Sequence, residues 1–234
     1  MCIEAGKSLM ASATKSDLWT RIGSAIILFA IAGTALWFGG LAFGLLLLIG
    51  GALVVVEWIA LVRAMTLSGG AKGVLLAIGP VLILGAMAGL WFVREHLGMT
   101  AALWVFGMVW ATDIGAYFAG RAFGGTRLAP RISPSKTWSG LIGGMVAALI
   151  ASATIGDRAG ITGVPLTIGL AVGLLAQMGD LGESWMKRRA GVKDSGKLIP
   201  GHGGLFDRVD GLLPVALVLG ALAFAGQIAV RAAG

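Results

Sequence analysis

The stretch LAFGLLLLIGGALVVVEWIALVR, Leu41 to Arg63, decides the fold class of this chain. It holds one acid, Glu57, and no cation before its last residue. An apolar run of about 20 residues is what an α-helix needs to cross the hydrocarbon core of a bilayer. Working outward, comparable runs recur at approximately 21–39, 73–93, 100–119, 140–156, 165–186 and 212–230. That makes seven predicted spans, within a range of six to nine. Gly39-Gly40 predicts a very tight turn between the first two. The 140–156 run is short and Gly-rich, and the 165–186 run turns polar from Gln177 onward.

Composition points the same way. Of 234 residues, 57% are hydrophobic and 12% are charged, against about 25% charged in an ordinary soluble domain. Mean hydropathy is +0.91. One or two soluble domains are therefore excluded. The 39 glycines suit a membrane bundle, where small residues let helices approach closely. Cys2, the single cysteine, excludes an intramolecular disulfide. The first twenty residues lack a continuous apolar core, so no cleavable signal peptide is expected. No internal repeat is evident. The expected fold is all-α: a polytopic transmembrane helical bundle, one integral membrane domain over 1–234. Its N-terminal part, 1–99, is plainly hydrophobic, and 100–234 carries the long polar loops.

Lys and Arg set the expected orientation. With the N-terminus in the cytoplasm, fifteen of the 18 cations fall on inside segments, and Arg94, Arg158 and Arg231 remain outside. Such a bias favours that topology. It places loops 120–139 and 187–211 on the same cytoplasmic side.

Glu57, Asp113, Asp180 and Glu183 fall inside predicted spans. Each would cost about 2.5–3.5 kcal/mol at a bilayer centre, so such groups usually face a bundle interior or a watery cavity. A buried structural carboxylate is the alternative, and the better one for Glu57. Asp113 precedes Arg121 by eight residues and Asp180 precedes Lys187 by seven. At ~1.5 Å per residue both lie about 10–12 Å below the same surface, near where a lipid phosphate would sit. Asp180, Glu183 and Lys187 share one helix face, as do Asp113 and Tyr117.

The first polar loop, GRAFGGTRLAPRISPSKTWSG, carries four cations and no acid. Positive-inside bias alone could explain it, but Ser133, Ser135, Thr137 and Lys136 around Pro134 also offer donors for phosphate oxygens. The second, QMGDLGESWMKRRAGVKDSGKLIPGHGGLFDRVDG, mixes Asp180, Glu183, Asp194, Asp207 and Asp210 with cations. Carboxylate oxygens suit Mg²⁺, which completes its shell with water and phosphate. Metal and cations together neutralise charge that develops in phosphoryl chemistry. The glycines after His202 allow close backbone approach; His202 either donates to a phosphate or braces the loop. There is no Walker A loop and no Cys/His cluster for zinc. The residues alone thus indicate a Mg²⁺-dependent intramembrane enzyme acting on phosphates at the cytoplasmic face.

The run SWMKRRAGVKDSGKLIPGHGGLFDRVD, Ser184 to Asp210, resembles the signature of the phosphatidate cytidylyltransferases, or CDP-diglyceride synthases. DIGAY at Asp113–Tyr117, followed by GRAFG, resembles the family's upstream helix, and ISPSKTW at Ile132–Trp138 its basic loop. The resemblance covers most of 110–211. It implies that CTP and phosphatidic acid give CDP-diacylglycerol and pyrophosphate, in phospholipid biosynthesis. It implies Asp180 and Asp207 as metal ligands and catalytic residues, with Lys193 and Asp194 in the same catalytic set. Glu183 and Asp210 are secondary ligand candidates. Phosphate and substrate contacts are expected from Lys187, Arg188, Lys193, Lys197, Arg208, His202, Ser133, Ser135 and Lys136, with Asp113 orienting a ligand. Mg²⁺ and a second, monovalent cation such as K⁺ are the implied cofactors. The implied setting is the lipid bilayer of a bacterial inner membrane, with the active site facing the cytoplasm. A homodimer is weighed as the assembly, and no nucleic-acid partner is expected. One departure is Ser139, where family members commonly carry Glu.

Three other readings compete. A CTP-dependent polyprenol-type lipid kinase would transfer the γ-phosphate instead. A CDP-alcohol phosphotransferase needs a D-G-x-x-A-R run, which Asp210-Gly211 begins and Leu212-Leu213-Pro214 ends. An ion-coupled transporter would show broken helices in paired halves, whereas the charges here cluster in the C-terminal half.

Overall fold

A computed structural model describes residues 19, 22–199, 201 and 203–231. Lys7, Lys15 and Arg21, used in the orientation count, and His202 lie outside the described residues.

Each predicted span corresponds to a helix. In chain order these are α1 (Ile22–Phe38), α2 (Gly40–Ala64), α3 (Gly69–Phe92), α4 (Met99–Phe123), α5 (Trp138–Arg158), α6 (Ile168–Ala190) and α8 (Leu212–Phe224). A short helix, α7 (Phe206–Val209), precedes the last. Four segments, Gly40–Ala64, Gly69–Leu97, Met99–Phe123 and Trp138–Arg158, are long and apolar enough to cross a membrane. The helices α1 and α8 are apolar but shorter. The second half of α6 is polar, as the sequence from Gln177 onward requires. The protein is a helical integral membrane protein.

Local chemistry sets the helix ends. The Ser68 side chain accepts from the Ala71 amide and opens α3 four residues before the predicted start. Thr137 accepts from the Gly140 amide at 3.1 Å and opens α5, which extends the short 140–156 run to 21 residues. Ser and Thr favour this position because they satisfy an otherwise orphaned amide. The tight turn between α1 and α2 is a single residue, Gly39, at φ +64°. It is fixed from outside by a π turn at Val93–Leu97 that continues α3. Arg94 donates to the carbonyls of Leu36 (2.7 Å) and Trp37 (3.0 Å), and Glu95 accepts from the Gly40 amide (2.8 Å).

Two expectations change. The 120–139 loop is shorter, because α4 runs on to Phe123 and a hairpin follows: β1 (Arg127–Ala129) against β2 (Ser133–Thr137). The last span is shorter than 212–230. After Phe224 the chain turns at Gly226 (φ +70°), and β4 (Ala229–Val230) pairs antiparallel with β3 (Ile161–Thr162). That pairing closes the end of the bundle remote from the hairpin, aided by the Arg231 amide on the Gly160 carbonyl (2.7 Å).

Within the bundle α4 lies along α5, α5 along α6, α2 along α3, and α3 along α8. Small residues make these approaches possible. A Cβ on Gly143 would overlap Ala119, and one on Gly220 would overlap Gly89. Lipid tails are as apolar as the helices, so close van der Waals packing carries the association. The result gathers the C-terminal end of α6, the start of α8, the hairpin and residues 191–199 and 203–205 at one end of the molecule.

Candidate active site

The second half of α6 supplies the framework. Asp180 and Glu183 lie one turn apart, and Asp210 joins them from just before α8. One carboxylate oxygen from each falls within 4.8 Å of the other two. Three like charges so close repel one another unless a cation or proton lies among them. Glu183 is 2% exposed, and its Oε1 has no hydrogen-bond partner among the described residues. An all-carboxylate donor set with an unclaimed buried oxygen fits a hard cation such as Mg²⁺. Burial, followed by the Asp180 charge, pushes the Asp210 carboxyl up to about 7.

Two lysines border this cluster. Lys136, from β2, contacts Asp180 Oδ2 at 2.6 Å and donates to Gln177 Oε1 at 2.9 Å. The basic hairpin is thereby tied to α6. Asp113 on α4 shares the site, within the electrostatic reach of Asp180, Asp210 and Lys136. Asp113 itself is exposed and stands outside the cluster of three acids. Lys187 lies on the other flank, with Nζ 2.7 Å from both Glu183 Oε2 and Asp207 Oδ1. Burial pushes the Lys187 ammonium down, but its bonds to Asp207 and Glu183 outweigh that and raise it.

Asp207 has a different environment from the other acids. Its Oδ1 faces Lys187, and its Oδ2 accepts from the Ser195 amide (2.9 Å), the Ser195 hydroxyl (2.8 Å) and the Gly204 amide (2.9 Å). Burial would raise its carboxyl; hydrogen bonding with Glu183, Lys187 and the two amides holds it well below the usual carboxylate range. Asp207 therefore fastens Ser195 and Gly204 to α6 through Lys187, and the oxygens that gather within 4.8 Å are those of Asp180, Glu183 and Asp210.

The remaining predicted residues sit around this centre. Lys193, Asp194 and Lys197 are exposed on the segment after α6, and Arg208 is exposed on α7. Arg188 donates to the Ile132 carbonyl at 3.3 Å, joining the two polar loops. Ser133 is half-buried and Ser135 exposed on β2. Ser139 turns back on its own loop, bonding the Gly124 carbonyl and, at 3.0 Å, Thr137 Oγ1. Two participants were not singled out from sequence as site residues. Gln177 marks where α6 turns polar, and that marking is the signal it offered. Ser195, 7% exposed, carries no signal beyond its place in the signature.

Behind the acids lies an apolar cavity of about 380 Å³, lined by α3, α6 and α8 with Trp58 of α2 and Phe206 of α7. Glu183 and Asp210 form part of its wall. One end of the site is therefore ionic and the other greasy.

Fold and site together define a helical integral membrane protein with an acidic cluster able to bind a metal ion, bordered by lysines, at one end of its bundle. The chain belongs to the cytidylyltransferase family, whose model matches residues 66–225. It is 39% identical over 251 aligned residues to a phosphatidate cytidylyltransferase of Brucella suis biovar 1 (strain 1330), covering 87% of this chain and 92% of that one. A phosphatidate cytidylyltransferase of Haemophilus influenzae is 48% identical over 124 residues, 49% of this chain and 42% of the relative. One from Bacillus subtilis is 43% identical over 123 residues, 51% and 45% of the two chains.

Proposed function

We propose that this protein is a phosphatidate cytidylyltransferase, transferring CMP from CTP to phosphatidic acid with release of pyrophosphate. The observation that carries the reading is the meeting of an ionic cluster with an apolar cavity at Glu183 and Asp210. A lipid phosphate with acyl tails needs both surfaces at once. The cavity suits the apolar part of the lipid, and the exposed Lys193 and Lys197 suit a polyphosphate arriving from water.

Asp180, Glu183 and Asp210 are the ligands we assign to Mg²⁺, which when bound neutralises negative charge on the polyphosphate. Lys136 orients Asp180, and Lys187 holds Glu183 beside Asp207. Asp207 shapes the loop that presents Lys193, Asp194 and Lys197. A phosphatidate oxygen attacks the α-phosphorus of CTP, the bond to the bridging oxygen of pyrophosphate breaks, and no covalent enzyme intermediate is required. Positioning and charge neutralisation supply the catalysis. Asp113 orients a substrate or Lys136. Ser133, Ser135, Arg188 and Arg208 contribute phosphate contacts from the rim, with His202 from the same loop.

A K⁺ ion beside Mg²⁺, an active site facing the cytoplasm of a bacterial inner membrane, and a homodimer complete the proposal. The experiment is the fate of label from α-labelled CTP in membranes supplied with phosphatidic acid. Label in CDP-diacylglycerol supports the reading; lipid labelled only from the γ position would make the protein a lipid kinase.

A further inference from the structure

Glu57 lies in the middle of the stretch that decides the fold, and it does not face lipid. It is 4% exposed and shares the inward face of α2 with Phe43, Leu47, Val54 and Leu61. Its partners lie almost 150 positions away in the chain. Oε2 accepts from the Phe206 amide at 2.7 Å, and Oε1 from the Leu205 amide at 3.1 Å. The Ser195 hydroxyl is 3.3 Å from Oε2 and 2.8 Å from Asp207 Oδ2, so its one proton serves Asp207 and its oxygen stands between the two acids. A Cβ on Gly196 would overlap the Glu57 carboxylate, and one on Gly204 would crowd it. Trp58 adds a ring contact to Phe206, with centroids 5.7 Å apart. The family match begins at residue 66, downstream of Glu57.

We propose that Glu57 is a positioning residue for the active-site loop. A carboxylate buried in α2 gathers the amides that open α7 and holds Ser195, Gly196 and 204–206 against the bundle. Contacts then run from the loop through Asp207 to Lys187 and Glu183. A buried carboxylate without such donors would be costly, and two loop amides without an acceptor would be costly too. The N-terminal helices therefore do more than anchor the protein. They hold the face of the site that carries Lys193 and Lys197.

The test combines amide hydrogen exchange and kinetics on purified full-length protein, with Glu57→Gln as the first variant. Gln keeps the shape but offers one acceptor where two amides point. Exchange in 195–206 should quicken by about tenfold or more while α4 and α5 keep wild-type protection. The KM for CTP should rise about fivefold or more and kcat fall, with a clearly smaller rise in the KM for phosphatidic acid, because Phe206 also lines the apolar cavity. Glu57→Asp, which keeps the charge, should recover part of both. Gly196→Ala, which presses on the carboxylate from the loop side, should reproduce the Glu57→Gln pattern, and it decides the matter if Glu57→Gln does not fold. Wild-type exchange in 195–206, or equal changes in the KM values for both substrates, would overturn the proposal. The kinetic arm rests on the cytidylyltransferase reading; the exchange arm does not, so failure of one is distinguishable from failure of the other.

Discussion

At the scale of residues, the acids divide by what surrounds them. Asp207 accepts four hydrogen bonds, whereas Glu183 keeps a buried oxygen unclaimed among the described residues. Two substitutions separate these roles. Asp180→Asn should insert normally, lose most CDP-diacylglycerol formation and need more Mg²⁺ for the small activity that remains. Asp207→Asn sets an amide NH₂ against the Lys187 ammonium and should lower stability by about 2 kcal/mol, seen as a lower melting midpoint in detergent, with activity lost as the loop loosens. A third expectation concerns pH. The Asp210 carboxyl rises from an ordinary 3.8 to about 7, so the folded protein binds its proton more tightly than the unfolded chain. Stability from that proton is complete below pH 3.8 and is lost as pH rises through about 7. Without metal, the melting midpoint should therefore contain a component that falls across that window. Added Mg²⁺, which competes with the proton, should stabilise more at about pH 8 than at about pH 5.

At the scale of elements, close packing of α4 on α5 fixes where Asp113 and the hairpin stand. Gly143→Leu would drive a side chain into Ala119 and the Gly115 carbonyl. Overpacking of this kind costs about 1–3 kcal/mol, and thermal melting should report it. Ser139 bonds within its own loop. Ser139→Glu should therefore leave CTP turnover within about twofold of wild type, read as kcat/KM. The helices were legible because apolar runs of span length have one stable answer in a membrane. The hairpin was not: its strands are three and five residues long, and Pro134 argues against a strand. The early end of α8 was hidden as well, since nothing in the apolar run before Gly226 reveals that Ala229–Val230 pair with Ile161–Thr162.

At the scale of the whole molecule, the site is where distant segments meet. Equal depths for Asp113 and Asp180 could be counted along the sequence, because helical rise converts residue number into distance. The signature from Ser184 to Asp210 marked the chemistry. The division between Asp207 and Asp210 could not be read there, since both are acids in one short run and only their partners distinguish them. Glu57 was equally opaque: a lone acid in an apolar span signals burial, but its partners lie in the 195–206 loop. The central claim is that this assembly joins a nucleotide to a lipid phosphate. Membranes containing the protein, given phosphatidic acid, Mg²⁺ and CTP labelled at the α-phosphate, should yield labelled CDP-diacylglycerol. Unlabelled lipid from that experiment, with lipid labelled instead from γ-labelled CTP, would contradict it.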